Sequence, residues 1–489
     1  MRQRPWPEKK RAFTSIPNIV GAVCALPFVR RCAIFAIEAV WEGYQMKYAI
    51  LAGIALAPLV GVAWAAGQAV DLPRAVSDAD FAPVSTDEAK LGQLLFYDPI
   101  LSGNRDVSCA TCHHPRFGTG DGVSLGLGDG GIGLGPDRVV DPANPPEQRI
   151  PRNAPALFNL GALEFTVLFH DGRIARDDSR PGGLRTPLDS DMTTGFASLV
   201  SAQTMFPVLS ADEMAGHYSE NEVSRAVRQG LLTGPGGAWD LIARRVADIP
   251  AYAAEFQAVY PDVTGPDDIG FTDISNAIAA FMAFEWRSDT APFDAVLRGR
   301  GALPDLASSG MALFYGDAGC SDCHSGPFLT DHDFHAMGSP QIGPGKGARF
   351  EASARDEGRA EVTGDAADMF AFRTPSLRNV ALTAPYGHAG SHATLAAYIA
   401  DHADPVAALA RYDARQAVLA PFGADDLAIL SDKGEMAAIA AAVKRAPVVL
   451  SDRDIAALVA FMDALTDPAG VTGRLGVPET VPSGLPVAQ

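Results

Sequence analysis

Six residues in two matching arrangements carry the plainest chemistry in this 489-residue chain. Cys109, Cys112 and His113 form C-x-x-C-H, and Cys320, Cys323 and His324 repeat it. This spacing is the attachment site of a c-type haem. Two cysteines three positions apart reach both vinyl groups of one porphyrin as thioethers, and the next residue offers its imidazole to the iron. The competing chemistry is a zinc or redox C-x-x-C site. Zinc needs four ligands, and no cysteine beyond residue 65 lies outside the two motifs. Two covalent c-type haems are therefore expected. Such a chain is either an electron carrier, with both irons saturated by protein ligands, or an enzyme with one open iron position and polar groups above it. The sixth ligands decide between them.

The elements around these motifs start with an exported leader. Met46 to Gln68 has a lysine, an apolar run and the small-residue site Ala63-Trp64-Ala65, which reads as a signal peptide cleaved after Ala65. Its apolar core is also long enough for an uncleaved membrane anchor. Met46 is the expected true start, and the 45 preceding residues an extension. Cys24 and Cys32 fall in this leader, so the mature chain keeps no thiol for disulfides, although an exported compartment permits them. The leader holds 8 basic and 3 acidic residues. The remainder has 31 against 55, a net charge of −24. That charge excludes nucleic acid, whose binding needs basic clusters, and favours a basic redox partner.

Beyond the leader the apolar residues follow helical periods. Ser85 to Asp98 has a polar start and the stripe Leu91, Leu94, Leu95. Trp239, Ile242, Val246 and Ile249 mark a second helix, and Thr272 opens a third through Ile274, Ile278 and Phe281. Ser451 to Leu465 reads as a capped helix, and residues 288–304 as a linker. No run alternates as a half-buried strand would. The pattern also repeats. Gly92 to Tyr97 precedes the first haem motif as Gly310 to Tyr315 precedes the second. Pro155 to Asn159 is echoed by Pro375 to Asn379, and His170-Asp-Gly172 by His388-Ala-Gly390. Three echoes in one order predict an internal duplication. The expected fold is mostly α, with two cytochrome-c-like haem domains: a leader over 1–65, an N-terminal domain over 66–295, a C-terminal domain over 296–475 and an extended tail over 476–489.

The strings LGQLLFYDPILSGNRDVSCATCH, RNAPALFN, FHDGR, AQTMFPVLSADEM, CSDCHSGPF and FRTPSLRNVALTAPYGHAGSHATL resemble the bacterial dihaem cytochrome c peroxidases and their relatives MauG and MbnH. The resemblance covers residues 80–470. It implies an N-terminal haem that binds peroxide and a C-terminal haem that relays electrons. It also implies roles for single residues. Glu213 would move a proton between the peroxide oxygens, and Gln203, ten residues earlier, would hydrogen-bond the bound oxygen. Asn153 and the carbonyls of Thr383 and Pro385 would hold one calcium, a cation that takes hard oxygen ligands.

Three departures from the family matter. Reductively activated members carry a blocking histidine in the loop after the first motif, and Leu127 stands at that position here. Leucine cannot bind iron, and His114 is too close to the proximal ligand to reach the opposite face, so the first haem is expected to be five-coordinate or to hold only water. At the distal position of the second haem, where peroxidases have methionine and MauG has tyrosine, the aligned residue is His402, with Met337 and Met369 as fallbacks. Two histidines would lower the potential relative to His/Met. The family's tryptophan between the haems is replaced by His170, which becomes a candidate propionate partner or proton relay, as does its echo His388.

The expected function is a periplasmic peroxidase that reduces hydrogen peroxide with electrons from a small cytochrome or cupredoxin. The enzyme alternative is MauG- or MbnH-like oxidation of a tryptophan or tyrosine on a partner protein. The alternative of another class is a dihaem electron carrier.

Overall fold

Each haem motif is preceded by the same device, a helix that crosses a later helix at a glycine. In the computed structural model, which describes residues 71–189, 194–346 and 354–489, the first such helix is Thr86–Tyr97. Ser85 caps it by accepting the Glu88 N–H at 3.4 Å, and Asp87 and Glu88 occupy the first turn, where the helix dipole favours negative charge. Its buried face carries Leu91, Gly92, Leu95, Phe96 and Tyr97. Gly92 lies against the Phe271–Glu285 helix so closely that a Cβ there would fall on the Ala277 carbonyl. In the second half, Asp305–Phe314 meets Asp452–Asp463 in the same way, and a Cβ at Gly310 would fall on the Ala457 carbonyl. The two glycines occupy equivalent positions of the sequence repeat, so the duplication extends to backbone packing.

Two aromatic clusters lie over these crossings. In the first, the Trp286 ring sits 5.1 Å from both Phe96 and Phe281. In the second, Phe461 sits 5.2 Å from both Phe293 and Phe314. Each fully buried ring contributes about 2–3 kcal/mol of burial, with roughly 1 kcal/mol more for edge contacts. Phe293 comes from the stretch read as a linker. Residues Pro292–Leu297 instead form a helix, because Phe293 and Asp294 are both fully buried and anchor it to the second core.

The fold is mostly α, and its strands are two or three residues long. One pairing matters for the site: Phe334–His335 runs antiparallel to Phe372–Arg373, with His335 opposite Phe372. Residues 475–489 return to the N-terminal core. Gln93 donates to the Leu475 and Gly476 carbonyls at 3.1 and 2.8 Å, Ser483 Oγ donates to Asp98 at 2.6 Å, and Val481 is buried. Among the described residues no helix is long and apolar enough to cross a membrane. The signal peptide and the start at Met46 lie outside the described residues.

Candidate functional site

Both motif histidines are oriented by the same kind of contact. The chain leaves the short Cys109–Cys112 helix at His113, whose Nδ1 lies 2.9 Å from the Thr119 carbonyl. His324 Nδ1 lies 3.2 Å from the Leu329 carbonyl. A carbonyl only accepts, so Nδ1 carries the proton and Nε2 is left with its lone pair, as a metal ligand requires. Thr119 and Leu329 have φ of +63° and +56°, left-handed turns that bring their carbonyls back to the ring. Burial lowers both imidazoles and keeps them neutral. It also pushes the Cys109 and Cys112 thiols up to about 12 and Cys320 up to about 11.

The second motif opens on a cavity of about 310 Å3, lined by Cys320, Cys323 and His324 and, from the Leu395–Ala403 helix, by Tyr398 and His402. Burial, then the nearby His324 ring, drives His402 down to about 3. Two neutral imidazoles thus share one enclosed space, the arrangement a bis-histidine iron needs. Met337 also lines this cavity. Met369 does not: it packs against the apolar cluster of Phe370, Leu409 and Ile439, so it is no substitute ligand. Cys323, Asp331 and His335 bring three donor atoms within 4.8 Å of one another. Three donors are one short of a structural zinc site, and His335 is engaged with Asp331 at 2.9 Å.

The cavity continues to His170, His388, Asn153, Thr383 and Pro385. Asn153 Nδ2 donates to the Val123 and Ser124 carbonyls at 2.9 and 3.3 Å, which turns its Oδ1 away as a free acceptor. Burial lowers His170 to about 3 and His388 to about 4. Both ring nitrogens of His388 are buried without a hydrogen-bond partner, and its ring stacks on Phe372 at 3.8 Å. An orphaned histidine and a half-buried guanidinium, Arg373, on an apolar cavity match a flat apolar group that carries carboxylates, as haem does.

Around the first motif, Cys112 and Leu127 line a smaller cavity with Asp121 and Arg138, and burial raises Asp121 to about 7. Leu127 is buried and belongs to a loop fastened at every step. Ser124 exchanges bonds with Val418 at 2.8 Å in both directions and donates to the Gly390 carbonyl at 2.6 Å. Ile150 N–H bonds the Gly126 carbonyl at 3.1 Å, and Arg138 bonds the carbonyls of Leu127 and Gly128. Asp129 N–H bonds the Glu213 carbonyl at 3.1 Å. Glu213 sits in a π-helical turn, Ala211–Ala215, closed by Ala215 N–H on the Ser210 carbonyl at 2.8 Å. Such turns recur at functional sites. Burial raises the Glu213 carboxyl, while Arg173 and Lys346 pull it back. Glu213 is near enough to Cys112 to raise its thiol. Gln203, at the end of Leu199–Thr204, faces the larger cavity with its Oε1 unpartnered. Glu213 does not line that cavity. His114 is buried beside Tyr97, at 6.5 Å between rings.

Residues 86–302 match the family model described as di-haem cytochrome c peroxidase. A cytochrome-c peroxidase IdrP2 of Denitromonas iodatirespirans is 30% identical over 70% of this chain and 80% of that protein. The chain belongs to the dihaem cytochrome c peroxidase and MauG family. Membership makes it a peroxidase-family haem oxidoreductase and implies two c-type haems. The methylamine utilization protein MauG of Methylorubrum extorquens is 29% identical over 68% of this chain and 72% of its own length. The crystal structure of a MauG-like protein associated with microbial copper homeostasis covers 83% of this chain and 96% of its own, at TM-score 0.51 and 27% identity. The diheme peroxidase BthA of Burkholderia thailandensis, at 20% identity and TM-score 0.53 over 82% of this chain and 93% of its own, shares the fold.

Sequence reasoning missed the charged residues around this family's site. Arg152 is buried in ion pairs with Asp171 and with Asp356, at 2.6 Å for the latter, and Arg173 holds Asp171 at 2.9 Å. Arg152 and Arg373 both stand inside strings that carry the resemblance, but only the burial of Arg152 and the cavity-lining place of Arg373 separate them from surface arginines.

Proposed function

We propose that this chain reduces hydrogen peroxide at a haem attached through Cys109, Cys112 and His113, with electrons entering through a second haem held by Cys320, Cys323, His324 and His402. Residues 66–295 form the peroxide-reducing half and 296–475 the relaying half. When bound, the haems supply iron that exchanges two electrons with peroxide. Two protons complete the conversion to two waters, and Glu213 moves the first from one oxygen to the other. A carboxyl raised by burial and countered by Arg173 and Lys346 suits both accepting and returning a proton. Gln203, whose amide oxygen is buried without a partner, hydrogen-bonds the substrate.

The observation that carries this reading is the fastened loop bearing Leu127. A side chain that cannot bind iron, on a loop pinned from 123 to 129, leaves the site open with no activating movement. Asn153, Thr383 and Pro385 hold a calcium that ties the halves together. His170 and His388 line the path between the haems as proton or propionate partners. The net charge of −24 steers a basic cytochrome or cupredoxin in the periplasm.

A second reading, oxidation of a tryptophan or tyrosine on a partner protein, is favoured by His402: a bis-histidine haem gives up an electron readily. Electron paramagnetic resonance of the resting ferric protein tests both, with one high-spin and one bis-histidine low-spin haem expected. Two low-spin haems refute the open site and favour a carrier. Rapid peroxide turnover with reduced cytochrome c, without prior reduction, supports the peroxidase. A near-infrared charge-resonance band with little turnover supports the protein-oxidising alternative.

A further inference from the structure

Among the described residues Arg373 is a cation without a carboxylate partner. It is half-buried and lines the cavity of the second motif. Its Nε donates to the Phe169 carbonyl at 3.2 Å, its Nη1 to the Thr374 carbonyl at 3.1 Å, and its backbone N–H to the His170 carbonyl at 2.8 Å. These neutral contacts hold the guanidinium in place but do not balance its charge. Burial alone acts on it, lowering it to about 10, and no carboxylate opposes that shift. The neighbouring carboxylates are engaged elsewhere. Asp171 pairs with Arg152 and Arg173, Asp356 with Arg152, and Asp331 with His335. The histidines, motif cysteines, Tyr386 and Tyr398 that line the same space carry no negative charge, its two other cations are Arg378, paired with Asp294, and Arg445, 4.0 Å from Asp322, and no carboxylate among the described residues lines it. Leaving a buried charge uncompensated costs several kcal/mol, so whatever fills the cavity must bring the anion.

We propose that Arg373 is the counter-ion of a carboxylate side chain of the haem attached at Cys320 and Cys323, and that this pair raises the haem's potential above the low value two histidine ligands alone would set and keeps it independent of pH. The proposal rests on the second motif carrying haem. A cation beside the ring favours the ferrous state, which has one positive charge fewer. It also keeps the haem carboxylate ionised through neutral pH, so reduction takes up one electron and no proton. Without it, an enclosed carboxyl takes up a proton when the iron is reduced.

The test is a potentiometric titration of the loaded protein, followed on the low-spin haem from pH 6 to 8, for the wild type, Arg373→Gln and Arg373→Lys. Haem content is counted in parallel. The wild-type potential should be flat with pH. Arg373→Gln should shift the reduction equilibrium at least tenfold towards ferric, which is 59 mV for one electron, and introduce a pH slope. Arg373→Lys should hold the wild-type value within threefold. A merely structural role, holding the Phe169 carbonyl, would change stability without creating that slope. Arg373→Gln protein with two haems and an unchanged, flat potential overturns the proposal, and so does a shift confined to the first haem. A wild-type slope overturns it even if Arg373→Gln does not fold. A wild type with haem only at the first motif refutes the underlying reading instead.

Discussion

Replacing Ser124 with alanine should loosen the loop that keeps the first haem site open. Ser124 is fully buried. Its Oγ donates to the Gly390 carbonyl at 2.6 Å and accepts the Val418 N–H at 2.8 Å. Alanine removes both bonds and adds no clash. The Gly390 carbonyl is left buried without a partner, which costs about 1–3 kcal/mol. Val418 is half-buried and regains water, so its lost bond costs about 0.5–1.5 kcal/mol. The sum, about 1.5–4.5 kcal/mol, should come out of the free energy that holds residues 123–129 closed. At a factor of ten per 1.4 kcal/mol, amide exchange across the loop should rise roughly 10- to 1,600-fold. Hydrogen exchange read by mass spectrometry on the loaded protein measures this directly, with residues 86–97 as an internal control. The reasoning fails if loop exchange rises less than threefold, or if the control helix rises equally, since the loop would then owe its order to something other than Ser124.

Glu213→Gln should lower peroxide turnover by about 10²–10⁴ while the protein keeps two haems, because the amide cannot carry the proton; unchanged turnover in a stopped-flow assay would remove Glu213 from the mechanism. Asp294 and Arg378 form a fully buried pair at 2.6 Å, so Asp294→Ala should destabilise the second half by about 3–5 kcal/mol in denaturant unfolding, and Asp294→Leu with Arg378→Met should recover most of the loss. Burial, then Asp106, raises Asp129 to about 6, above its unfolded value. Its contribution to stability is therefore full at low pH and is lost as pH rises through 6. Between pH 5 and 8 the wild type should lose about 1 kcal/mol relative to Asp129→Asn, and an equal pH profile for the two would contradict that assignment.

The two C-x-x-C-H motifs were legible because covalent attachment demands a local spacing that no tertiary contact can supply. The duplication was legible too, since the matching strings Gly92 to Tyr97 and Gly310 to Tyr315 each precede a motif. Helix caps such as Ser85 and Ser451 were readable because capping bonds reach only three residues along the chain. The stretch at 288–304 was misread as a linker because its polar composition hides one anchoring residue, Phe293, whose partners Tyr315 and Phe461 come from later in the chain.

The sequence by itself determined which residues can hold haem and that the loop residue at 127 cannot bind iron. Only the tertiary structure decided that this loop is fastened by Gly390 and Val418, nearly three hundred residues away, that His402 shares a cavity with His324 while Met369 does not, and that Arg373 lines that cavity with no carboxylate partner among the described residues. The physical reason is one of range. Bond chemistry and capping are set by neighbours along the chain, whereas burial, charge compensation and the closing of a loop depend on which distant segments fold against them.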